Sequence, residues 1–134
     1  MRLVVDSNIL FTYFWKDSIA RKAFQRIGIA YYSPEFSLKE LNKYKRDIMV
    51  KAHLEEGEFV YEMGELANAV IFVGREDYKE HIEKAAWISP DKDDNDFLAL
   101  AMKLKCPLWT RDQKLRKQHS VKIVDTSDII ALIW

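Results

Sequence analysis

Leu3-Val4-Val5-Asp6-Ser7-Asn8 carries three consecutive apolar residues, two of them β-branched, straight into an acid. So short an apolar run, without alternation, reads as a strand buried on both faces, which is the pattern of a parallel sheet. Working outward, comparable runs occur at residues 29–32, 69–73, 108–110 and 121–124. Between them the apolar period becomes helical, at residues 7–15 and 19–27 and again over 58–66, 78–88 and 97–105, the last stopped by Pro107. Ser33-Pro34 reads as an N-cap followed by proline at the first helical position. It opens a predicted helix over 34–50 whose stripe is Ser37, Leu41, Tyr44 and Ile48. The last two strands are each followed by a short helical stretch. Strands alternating with helices from end to end imply βαβ units and a sheet covered on both faces.

The length of 134 residues predicts a single domain, 1–134, and 49% apolar residues suffice for a real core. Lys+Arg and Asp+Glu both number 21, which excludes a globally basic nucleic-acid binder and a disordered acidic tail. One cysteine, Cys106, cannot form an internal disulfide, so a reducing cytoplasm is expected. No apolar run approaches a membrane span, and Asp6 comes too early for a signal peptide. Neutrality hides a segregation: residues 1–54 carry +5, residues 55–101 carry −9 and residues 102–134 carry +4. A local cationic surface is therefore compatible with zero net charge.

In such a sheet, chemistry gathers beyond the carboxyl ends of the strands, near the point where strand order reverses. Asp6 directly follows the first strand and Asp112 lies two residues past Thr110, so both are expected at one rim. Either acid also suits a helix cap, and Asp125, placed the same way, is read only as a cap. Glu40 sits at the border of the apolar stripe of the 34–50 helix, where it points across the core surface or pairs with Lys43 or Tyr44. In Asp91-Lys92-Asp93-Asp94-Asn95-Asp96, helical phase selects Asp94. It shares a face with Leu98 and Ala101, whereas Asp96, about 200° away on the wheel, and Asp93 are expected to face solvent.

Four carboxylates on one small rim either take up protons or recruit a divalent cation. All-oxygen ligation suits Mg2+ or Mn2+. Other chemistries lack their residues. The Asp91 stretch fails as an EF-hand because Asp96 and Met102 stand where glycine and glutamate are required. His53, His81 and His119 fit no zinc spacing, and neither a phosphate loop nor a nucleophile elbow occurs. Phosphoryl transfer on an aspartate is disfavoured, since one version wants a second aspartate where Asn8 stands.

Four stretches, Val4-Val5-Asp6-Ser7-Asn8, Phe36-Ser37-Leu38-Lys39-Glu40-Leu41, Asp94-Asn95-Asp96-Phe97-Leu98-Ala99-Leu100-Ala101 and Leu108-Trp109-Thr110-Arg111-Asp112, resemble the PIN-domain nucleases in order and kind. The resemblance runs over essentially the whole chain. It implies a three-layer α/β/α fold with a five-stranded parallel sheet flanked by helices. It implies that Asp6, Glu40, Asp94 and Asp112 are the four family acids around Mg2+ or Mn2+, with Asn8 and Thr110 as polar neighbours and Asp93 or Asp96 as a further metal contact. It further implies hydrolysis of RNA phosphodiesters, with Asp6, Asp94 and Asp112 holding the cation and Glu40 orienting or deprotonating the attacking water. Many small members are VapC-type toxins of toxin–antitoxin pairs, often homodimers, so an antitoxin protein and a second copy are expected partners.

Carboxylates repel a polyanion, so affinity for RNA must come from nearby cations. Lys39, Lys43, Lys45, Arg46 and Lys51 beside Glu40, and Arg111, Lys114, Arg116 and Lys117 around Asp112, are the candidates. Tyr13, Phe14 and Trp15 are candidates for base stacking, with core packing the expected use of at least two. The apolar 129–134 segment suggests dimerisation or partner docking. The competing expectation is a PIN-like module that binds RNA or protein without turnover, which four repelling carboxylates argue against.

Overall fold

The computed structural model describes residues 1–134. Five strands form one sheet, all parallel, in the order β3-β2-β1-β4-β5: β1 (Arg2–Val5), β2 (Ala30–Pro34), β3 (Val70–Val73), β4 (Leu108–Trp109) and β5 (Ile123–Val124). Eight helices connect them: α1 (Ser7–Thr12), α2 (Ile19–Phe24), α3 (Phe36–Lys43), α4 (Lys45–Ala52), α5 (Glu56–Ala69), α6 (Ile82–Ile88), α7 (Asn95–Leu104) and α8 (Thr126–Ile133). No helix is long and apolar enough to cross a membrane.

The two-residue side-chain period of the strands builds two cores from one sheet. Leu3 and Val5 of β1, Tyr31, Trp109 and Val124 pack with Ile9, Leu10, Leu41, Phe59, Leu66 and Ile129 from α1, α3, α5 and α8, and with Phe14 of the turn after α1. Val4, Leu108 and Ile123 point the other way, against Phe97, Leu98 and Leu100 of α7 and Ala85 of α6. Leu3, Val4 and Val5 are all completely buried, which is why the opening run shows no alternation. These are the α/β/α layers expected from the sequence.

Several boundaries differ from the sequence expectation. Ser33 is not a helix cap. It lies inside β2 opposite Phe72, and its buried hydroxyl donates to the Val5 carbonyl at 2.8 Å. Pro34 ends the strand, and the Glu35 amide takes over the ladder by donating to Val73 O at 2.8 Å. The predicted 34–50 helix is broken at Tyr44 (φ −98°, ψ 20°) into α3 and α4, with Leu41 before the break and Ile48 after it in the same core. α7 ends at Lys105 in the left-handed region (φ 53°), two residues before Pro107, a stop that proline enforces.

Candidate metal centre

Strand order reverses at β1, with β2 on one side and β4 on the other, so the connections after β1 and β4 leave in different directions and open a crevice at the carboxyl edge. Asp6 sits in that crevice. Its backbone N–H continues the ladder to Trp109 O at 3.1 Å, and its Oδ1 accepts from the Ile9 N–H at 3.0 Å as the N-cap of α1. Asp6 therefore caps α1 and lines the crevice at the same time. The second carboxylate oxygen accepts a short hydrogen bond from the Thr110 hydroxyl. That hydroxyl also accepts from the Asp112 amide at 3.1 Å, so one buried threonine ties the ends of β1 and β4 together.

Asp112 starts a 3-10 turn over Gln113–Lys117, with Oδ1 accepting from the Lys114 amide at 3.0 Å. Asp94 ends another 3-10 turn (Lys92–Asp94) and occupies the N-cap position of α7 without making the side-chain cap bond. Its carboxylate is left for the crevice. Glu40 comes from α3. All four acids line one open cleft of about 910 Å³, shared with Asn8, Lys39, Lys43, Arg75, Asp93 and Asp96.

The electrostatics record the crowding. Burial, the charges of Asp112, Asp91 and Asp6, and a hydrogen bond with Asp112 together push the Asp94 carboxyl up to about 7. The Asp6 carboxyl is also raised, first by burial and in smaller part by Asp112, against the pull of Thr110 and the Ile9 and Asn8 amides. Glu40 is raised by burial and then by Asp93, with Lys43 opposing. All three carboxyls are raised first by burial, and an acidic neighbour adds to each.

No three His, Cys, Asp or Glu side chains form a ready-made ion cage as they stand. The fit rests instead on donor chemistry. Asp6, Asp94 and Asp112 offer oxygen only, they repel one another, and their cleft is open enough for the waters that Mg2+ or Mn2+ retain. A dication held there would offset the repulsion among these carboxylates.

The remaining expected residues divide. Asp93 is exposed, as its helical phase suggested, yet it borders the cleft and faces Glu40 electrostatically. Asp96 does not turn to solvent. Its carboxylate accepts from the Tyr78 hydroxyl at 2.7 Å and stands 3.8 Å from Arg75 Nε, because Tyr78 is packed, buried, beside the first turn of α7. Lys39 and Lys43 line the cleft, and Arg111 lines a hollow that adjoins it. Lys45 is drawn to Glu56 at 2.6 Å, and neither it, Arg46 nor Lys114 borders the cleft. Tyr13 and Phe14 are buried, while Trp15 remains partly exposed. Asp125 caps α8 through a reciprocal capping box with Asp128.

Sequence reasoning missed Arg75, Tyr78 and Lys92, all on the cleft wall. The rule that selected Asp6 would have found Arg75, since it directly follows β3 and Gly74. Comparison with known proteins agrees with this architecture. A family model described as the PIN domain matches residues 4–130. A chain of the crystal structure of VapBC2 from Rickettsia felis, bound to a DNA fragment from their promoter, superposes with a TM-score of 0.66 at 11% identity. The match covers 93% of this chain and 98% of that one. No curated protein matches in sequence.

Proposed function

We propose, from the premise that the chain belongs to the PIN-domain family, that it is a divalent-metal-dependent ribonuclease and the toxin of a toxin–antitoxin pair. The observation that carries the hydrolytic reading is that Asp6, Glu40, Asp94 and Asp112 line one cleft at the switch point of the sheet, where the charges of Asp112 and Asp6 add to the burial that raises Asp94. A protein surface that only binds RNA gains nothing from such repulsion. The toxin reading is supported by the likeness to a VapBC2 chain, and an antitoxin protein is the partner it implies.

Asp6, Asp94 and Asp112 are assigned to hold Mg2+ or Mn2+, with Asn8 as a polar neighbour and Asp93 and Asp96 on the rim. The bound dication supplies charge neutralisation and Lewis-acid polarisation of a phosphate oxygen. The other parts of the reaction fall to this chain's own groups. Thr110 fixes the orientation of Asp6 and the path of the chain to Asp112. Glu40, half-buried and with its carboxyl raised, accepts a proton from the attacking water while staying outside the Asp6–Asp94–Asp112 trio. Lys39, Lys43 and Arg75 draw the phosphates toward an otherwise anionic cleft. A homodimer through α8 is also proposed. Ile130 and Leu132 of that helix, and Trp134 just after it, are exposed, and light scattering that shows only a monomer removes it.

Labelled single-stranded RNA and DNA, incubated with Mg2+, with Mn2+ and with chelator, test the activity beside Asp6→Asn and Asp94→Asn. The expected result is RNA cleavage that needs the metal and drops by at least about a hundredfold in both variants. Chelator-indifferent cleavage, or variants as active as the parent, would reject the assignment. RNA binding without turnover in either metal would make the chain a silent binding module.

A further inference from the structure

The cleft does not end at Glu40. A second hollow of about 610 Å³ shares Asn8, Glu40 and Tyr44 with it and continues past Phe11 to Trp15, Lys51 and Arg111. A third, of about 700 Å³, shares Trp15 and Lys51 with the second and reaches Lys16 and His53. The three adjoin end to end, so a continuous groove leads from the carboxylates along α1 and α4.

Its chemistry changes along the way. Tyr44 is 41% exposed and Trp15 is 36% exposed. Tyr44 is propped by the Phe11 ring at 5.9 Å with a steep interplanar angle, and Lys43 Nζ lies 5.5 Å from its centroid. Lys16, Lys51 and Arg111 take part in no ion pair, in contrast to Arg21 nearby, which is held by Glu62 at 2.8 Å. Asp47 and Glu58 also border the groove, but Glu58 is spent on the α5 capping box. Rings open to solvent and unpaired cations in a groove that starts at a carboxylate cleft are the elements of a single-strand track. Every base offers a π-face to an aromatic side chain, and the cations follow the backbone.

We infer that this groove holds the unpaired RNA flanking the phosphate to be cut, with one base laid on Tyr44, another on Trp15, and Lys51 and Arg111 on the phosphates beside them. The inference rests on the ribonuclease reading for the identity of the strand and extends it by assigning a binding track with no part in the chemistry. The break between α3 and α4 acquires a purpose here, since it brings the Tyr44 ring to the junction of cleft and groove.

The test is length dependence. Binding of a uridine dinucleotide and a uridine octamer is titrated in chelator, so that nothing is cleaved, with Tyr44→Ala, Tyr44→Phe, Trp15→Leu and Trp15→Phe beside the parent. The octamer is expected to bind far more tightly than the dinucleotide. Tyr44→Ala and Trp15→Leu should each remove about tenfold of that gain, and the two phenylalanine variants should retain most of it. Octamer binding should also quench tryptophan fluorescence in the parent but much less in Trp15→Phe, which keeps the other three tryptophans. Octamer affinity equal to the parent in both truncated variants overturns the inference and leaves the rings to a protein surface. If the protein cleaves no RNA with metal yet shows the ring-dependent gain, the track stands and the hydrolytic reading falls. If it cleaves RNA but shows no ring-dependent gain, the reverse holds.

Discussion

Replacing Asp94 with asparagine should stabilise the metal-free protein, even though it removes a residue assigned to the reaction. The carboxyl is raised from 3.8 to about 7, by burial first and then by Asp112, Asp91 and Asp6. Below about pH 4 the group is protonated in both folded and unfolded chains, and it contributes nothing. As pH climbs from about 4 to about 7 the unfolded chain releases its proton first, so folding stability falls across that window and stays lowered above it. At about 1.4 kcal/mol per unit the ceiling is about 4 kcal/mol. The side chain is half open to water, and screening reduces the expected figure to about 1–2 kcal/mol. Asparagine keeps the shape and can still donate to Asp112, so Asp94→Asn should exceed the parent by that amount at pH 8 in chelator. Denaturant titration measures it directly, and thermal unfolding should show a rise of about 3–8 °C. The advantage should vanish at pH 4. Added Mg2+ or Mn2+ should raise the parent and leave the variant nearly unmoved. A variant less stable than the parent at pH 8, or an advantage that is the same at both pH values, would refute the account in which burial and acidic neighbours together raise this carboxyl.

Other substitutions separate the parts of the fold. Thr110→Val keeps the volume but leaves the second oxygen of the buried Asp6 carboxylate without its donor, and should cost about 1–3 kcal/mol in urea unfolding together with weaker Mn2+ binding by calorimetry; parental values for both would show that the tie between β1 and β4 is idle. Asp125→Ala should cost about 1 kcal/mol through loss of the α8 capping box, with metal affinity untouched. Leu98→Ala, at a fully buried site on α7, should cost about 2–5 kcal/mol, and a loss below about 1 kcal/mol would mean that this core is looser than described. Lys105→Gly should add about 0.5–1 kcal/mol, because the residue already holds a left-handed conformation that glycine adopts without strain.

The strands, their parallel pairing and the two-sided burial were legible because completely buried runs such as Leu3-Val4-Val5 have few alternative readings. Asp6 and Asp112 were legible for the same reason, since a strand end fixes where the next residue goes. Illegible features depended on partners distant in sequence. Ser33 resembles a cap until the Val5 carbonyl, supplied by the neighbouring strand, claims its hydroxyl. Asp96 resembles a solvent-facing residue on a helical wheel, and only the docking of Tyr78 turns it into part of the cleft wall. The helix break at Tyr44 carries no glycine or proline signal, and its neighbour Phe11 lies more than thirty positions away in the chain.

The placement of β1 at the middle of the sheet also governs when the acid cluster can come into being. Its neighbour on one side, β4, comes late in the sequence and pairs directly with Val4 and Val5. Asp6 therefore waits for Thr110 and Asp112 until more than a hundred further residues have been made. A half-made chain holds Asp6 and Glu40 without Asp94 and Asp112, so the cleft takes shape only when β4 joins β1.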